Sequence, residues 1–177
     1  MISRWSALRR CFPGLVLPFA LSSTGHAFEL GSAAGLITYG DDRALPCVHS
    51  WMQTSFGMVL GITNSGEKNS TFAQQTALAH LSYATNLPRS RVIEASLGVG
   101  AILFRTTVNQ TPPDGTASTS ISRAAGLAFG LRWNPKLSKN LRARVSWDGL
   151  YVPPGSSVLY LAFGHAQSVS AGIGWDF

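Results

Sequence analysis

The chain has 177 residues and a formal net charge of +6, but three of its fourteen Lys and Arg (Arg4, Arg9 and Arg10) fall in an N-terminal leader, leaving eleven against eight acids. No clustered basic patch with stacking aromatics remains, so a nucleic-acid surface is excluded. Beyond the leader Cys47 is the only cysteine, which excludes a disulfide within one chain, and no uninterrupted apolar run reaches helix-spanning length.

Met1 to Ala27 joins a positive start to an apolar stretch from Cys11 to Leu21 and to small residues at Gly25 and Ala27. This is the pattern of a secretory signal peptide cut after Ala27. Cys11 follows Leu8-Arg9-Arg10 rather than the small residues of a lipoprotein acceptor, so no lipid anchor is expected. Residues 28 to 177 make one domain's worth of chain.

From Phe28 onward, segments of about ten to fifteen residues alternate with Pro, Gly, Asn and Ser clusters, which reads as a series of strands. The first spans 28–39 and carries Glu29. Cys47 and His49 follow; two potential ligands fall short of a metal site, so no metal is expected, and nothing in the chain calls for another cofactor. A second strand is expected over 49–62, then a polar loop over 64–70. The segment 71–84 places His80 and Ser82 on one face. With a turn centred near Leu87, His80 is expected opposite Glu94 of the next segment, 91–107. Such a set is the raw material of a hydrolase, His80 taking a proton from Ser82 while Glu94 orients the imidazole. A satisfied core histidine is the competing reading.

Within 91–107, Ile93, Ala95, Leu97, Val99, Ala101 and Leu103 alternate with Glu94, Ser96, Gly98 and Gly100. No helix follows Gly98-Val99-Gly100, so this is no nucleotide loop, and its glycines suit a crowded interior. The loop 109–116 is polar and lacks the apolar anchors of a tight protein partner. The segment 118–133 repeats the alternation, setting Leu127, Phe129, Leu131 and Trp133 against Gly126, Gly130 and Arg132. The segment 139–152 sets Leu141, Ala143, Val145 and Trp147 against Arg142, Arg144, Ser146 and Asp148. The material from 157 ends on Ser168 to Phe177, where Val169, Ala171, Ile173, Trp175 and Phe177 share one face and small or polar residues the other.

These segments number seven, and a membrane barrel of bacterial type has an even count. Either the last segment divides at Gly164 to Gln167, or an eighth strand lies inside 40–50 and residues 134–139 form a turn. Whichever holds, Glu29, Glu94, Asp148, Asp176, Arg132, Arg142 and Arg144 share the small, polar face. They are expected inside the barrel as a charge network, since pairing offsets the cost of their desolvation.

Three stretches carry a resemblance: Val92 to Gly100, Gly130 to Pro135 with Asn140 to Arg144, and Gly172 to Phe177. Together they resemble the small eight-stranded outer-membrane barrels of the OmpA transmembrane-domain and OmpX type, over most of residues 28–177. The resemblance implies an all-β, antiparallel up-and-down transmembrane barrel of eight strands in a bacterial outer membrane. It further implies a monomer, membrane lipid and lipopolysaccharide as neighbours, and Trp175 and Phe177 as the signal read by the barrel-assembly machinery. Its motifs are architectural, so fold carries over and function does not. The His80-x-Ser82 spacing and the Glu94 to Gly100 region are also similar to barrels that deacylate lipid A. The longer His-x-Ser-Asn run of those enzymes is absent here, where the comparable stretch reads Ser146-Trp147-Asp148-Gly149. The expected role is therefore structural or surface-facing, in envelope integrity or weak adhesion, with a plugged polar lumen. The alternatives are an outer-leaflet lipid A acyl hydrolase working through His80, Ser82 and Glu94, and a narrow solute pore.

Overall fold

The computed structural model describes residues 28–39, 44–68, 72–108, 118–153 and 165–177; the expected signal peptide, the 109–116 loop and the start of the 157–177 segment lie outside them. Eight strands run in chain order: β1 (Phe28–Thr38), β2 (Leu45–Thr54), β3 (Met58–Lys68), β4 (Phe72–Asn86), β5 (Ile93–Val108), β6 (Ser118–Trp133), β7 (Leu141–Tyr151) and β8 (His165–Asp176). Each pairs antiparallel with its sequence neighbours, and β1 pairs with β8 to close the barrel. Closure removes the free edge strand that an open sheet would have.

The expected strand 49–62 is two strands, not one. Chain reversal occurs at Ser55-Phe56-Gly57, where the Gly57 amide donates to the Thr54 carbonyl at 3.0 Å and the Met58 amide to Thr54 Oγ1 at 3.0 Å. Gly57 has φ of +95°, a conformation that costs glycine little and other residues more. The eighth strand is thus supplied between 45 and 54. β8 runs unbroken through Ala166-Gln167, so the alternative division there is not what completes the count. Residues 134–139 do form a turn, with the Leu137 and Ser138 amides both donating to the Leu141 carbonyl.

The β4–β5 reversal is also displaced from its expected position. Leu87 N donates to Ile93 O, Ser90 N to Leu87 O, and Ser90 Oγ accepts from Ile93 N at 2.9 Å, so the turn centres beyond Leu87, near Arg89 and Ser90. Arg89 takes the left-handed φ of 66° that this requires. The register shifts accordingly: Asn86 lies across from Glu94, and His80 across from Gly100.

Alternation along each strand sorts the side chains. Outward positions are apolar, with Leu97 66% and Ile121 64% exposed, while inward ones are small, charged or tightly packed. A barrel in water would reverse this. Trp133, Trp175 and Tyr83 stand on the outer wall toward the end that carries Phe28, Phe177 and the short turns. Rows of paired residues climb away from that end as strand number rises. The row through Glu29, Gln53, Val59, Ser82, Gly98, Ala128, Leu150 and Ala166 returns to β1 beside Thr38, about ten residues from its start. The strands are therefore strongly tilted to the barrel axis.

Candidate functional site

The lumen is filled in two storeys. Near Phe28 and Phe177 it is charged, and the charges are paired. Arg132 Nη2 lies 2.8 Å from Asp148 Oδ1, across β6 and β7, with both residues buried. Arg142 Nε lies 2.9 Å from Asp176 Oδ2 and 3.7 Å from Glu29 Oε2, while Arg144 Nη2 is 3.2 Å from Glu29 Oε1. Burial of a guanidinium is tolerated only with such partners, because an unpaired charge out of water costs several kcal/mol. Glu94 stands apart from these pairs and accepts from Gln53 Nε2 at 3.1 Å.

Four members of this storey escaped the sequence reading. Trp51 Nε1 donates to Glu29 Oε1 at 2.7 Å, and the Arg144 guanidinium lies 4.3 Å from the centre of a Trp51 ring, a cation–π contact. Arg144 also donates to Gln53 Oε1, and through its Nε to Asn134 Oδ1 at 3.0 Å. His49 Nδ1 bonds Thr63 Oγ1 at 2.8 Å. An expected single strand over 49–62 misplaces Trp51 and Gln53, and a turn over 134–139 takes in Asn134, so none of the three has a face to argue from. The one available signal was parity from Cys47, which puts His49, Trp51 and Gln53 on a single side.

Toward the other end most strands turn apolar residues inward, while β3 keeps Thr63 and Ser65 on that face. Ile37, Tyr39, Cys47, Leu78, Ile102, Phe104, Leu150, Val152 and Ala166 form one buried cluster across the lumen, with Phe104 and Tyr39 in edge-to-face contact at 5.2 Å. Glycines make room in the charged storey: a Cβ on Gly31 would stand 2.0 Å from the Trp51 ring, and one on Gly61 2.1 Å from His80 Nε2. Those positions accept no larger side chain unless the ring moves.

The candidate hydrolase set is not assembled. Ser82 Oγ and His80 Nδ1 are 3.4 Å apart, but the register separates His80 from Glu94, and both His80 and Ser82 are buried in the lumen. His80 instead stacks on His49, ring centres 5.9 Å apart. Parallel stacked imidazoles do not converge on a common point as metal ligands must, and among the described residues no group of three metal-ligating side chains gathers. Cys47 lies in the apolar storey as a buried free thiol. At the seam, Phe28 and Phe177 stack at 4.9 Å and the Phe177 amide donates to the Phe28 carbonyl at 2.9 Å. Trp175 faces outward beside Leu30 of β1.

No family model matches the chain, and no curated protein matches it. Among solved structures it is similar to Neisserial surface protein A, with 16% identity, 89% of this chain and 100% of the other covered, and a TM-score of 0.51. It is also similar to Ail, the attachment invasion locus protein of Yersinia pestis, with 10% identity, coverage of 86% and 97%, and a TM-score of 0.49. The chain thus has the closed, eight-stranded, all-antiparallel fold of small outer-membrane barrels.

Proposed function

We propose that this protein is an integral barrel of a bacterial outer membrane, of the same plan as the OmpA transmembrane domain and OmpX, with a structural or surface-facing role rather than a conducting one. The observation that carries this reading is the double filling of the lumen. A paired ionic layer and an apolar cluster stacked on it fill the lumen with side chains, which supports a closed rather than a conducting interior. The outward apolar wall with aromatic residues toward one end supports residence in lipid, where a closed barrel satisfies its own backbone. In this reading membrane lipid and lipopolysaccharide surround a monomer, and Trp175 and Phe177 mark the chain for the barrel-assembly machinery.

Planar-bilayer recording tests the role. The intact barrel is expected to be silent, and a Phe104→Ala, Leu150→Ala double variant to remain silent as well, because the charged storey still closes the lumen. Steady single-channel steps from the intact protein would replace the structural reading with that of a pore.

A further inference from the structure

The outer wall carries a feature that neither the lumen nor the fold requires. Lys68, Arg105 and Arg123 are exposed, have outward parity, and come from three strands, β3, β5 and β6. Across the row through Lys68 lie Ala73, Thr107 and Thr119; Arg105 sits one outward position below that row and Arg123 two. Because rows climb about ten residues over the circuit of the barrel, this descent cancels the climb. Lys68, Gln75, Arg105 and Arg123 consequently stand at one height.

That height has a meaning. Below Arg123 the outward residues of β6 are Ala125, Leu127, Phe129 and Leu131, ending at Trp133. Below Arg105 those of β5 are Leu103, Ala101, Val99 and Leu97. Arg123 and Trp133 are about ten residues apart, which at roughly 3.3 Å per residue and a tilt near 40° is about 25 Å of height. This is the height of the apolar band of a membrane barrel. The cations therefore stand one band above the aromatic level, at the edge of the band farthest from Phe28 and Phe177. Among the described residues at these strand ends no carboxylate faces outward, since Glu67 has the inward parity. Lys68, Ala73, Gln75, Arg105 and Thr107 line a shallow groove of about 280 Å³.

We infer that this level is a binding site for the phosphate groups of an outer-leaflet glycolipid, with its acyl chains lying on the apolar wall beneath. The inference rests on the outer-membrane reading above. The occupant is a lipid because the cations and the apolar wall are one continuous surface; a soluble polyanion would use the first and leave the second bare. Guanidiniums suit phosphate by their paired donors, and Gln75 and Thr107 add neutral ones.

The test uses the full barrel refolded into phosphatidylcholine vesicles, with folding checked by heat-dependent gel migration, and binding of bis-phosphorylated lipid A followed by the rise in unfolding temperature. The native barrel is expected to bind at least about tenfold more tightly than a Lys68→Gln, Arg105→Gln, Arg123→Gln variant, and than it binds dephosphorylated lipid A, with the difference shrinking in high salt. Equal binding by native and variant barrels overturns the site. Inorganic phosphate giving the same stabilisation as lipid A shows an ion site and overturns the glycolipid assignment. A barrel that enters no vesicle overturns the membrane reading itself, which separates that failure from failure of the site.

Discussion

Arg132 shows what a single buried charge demands. It is 1% exposed, and the carboxylate within salt-bridge reach of it among the described residues is that of Asp148. Asp148→Ala leaves that guanidinium buried and uncompensated, so the barrel should lose about 3–5 kcal/mol. Equilibrium urea unfolding in lipid vesicles, followed by tryptophan emission, measures this. Replacing both partners by apolar residues of similar volume, Arg132→Met with Asp148→Leu, should recover most of the loss, because the penalty belongs to the orphaned charge rather than to the pair. A double variant as unstable as the single one would show that Arg132 serves a wider network than its ion pair.

At the scale of the strand, side-chain parity is what the chain obeys most strictly. Leu127 faces outward, 53% exposed, about midway between Arg123 and Trp133, whereas Ser122 has the inward parity. Leu127→Arg should therefore cost about 2–4 kcal/mol in lipid and Ser122→Arg clearly less, both read by urea unfolding in vesicles. Equal tolerance would mean the faces are inverted. Parity is also why so much of β5 to β8 was legible in the sequence: alternating Leu, Val and Ala against Gly, Ser and charge leaves only one way to face the strand. It placed Glu29, Arg144 and Asp176 on one side but could not say which touched which, because partners depend on register. Register failed at two turns. Ser55-Phe56 continues the apolar alternation without Pro or Asn, and only the positive φ of Gly57 turns the chain. Near Leu87 the reversal is longer than a tight hairpin, held by Ser90, and the few residues of error moved Glu94 from His80 to Asn86.

For the whole molecule, closure is the property that matters. A closed barrel keeps its shape in cold detergent, so unheated samples should migrate differently from boiled ones on a gel; identical mobility would count against the fold. Deleting Phe177 should impair assembly in cells, measured as folded protein in the outer-membrane fraction. Phe28→Ala separates the causes, since it removes the 4.9 Å ring stack at the seam but keeps the terminal residue. If both variants fail alike, Phe177 acts through the seam and not as an address. The wiring of the charged storey ties one ion pair to closure. Glu29 belongs to the first strand, yet the guanidiniums it neutralises, Arg142 and Arg144, belong to the seventh. Arg132 and Arg142 find Asp148 and Asp176 within β6 to β8 alone, whereas Arg144 meets the Glu29 carboxylate only when the two ends of the sheet meet. The Glu29 carboxylate is thus a latch whose ion pair with Arg144 exists only in the completed ring.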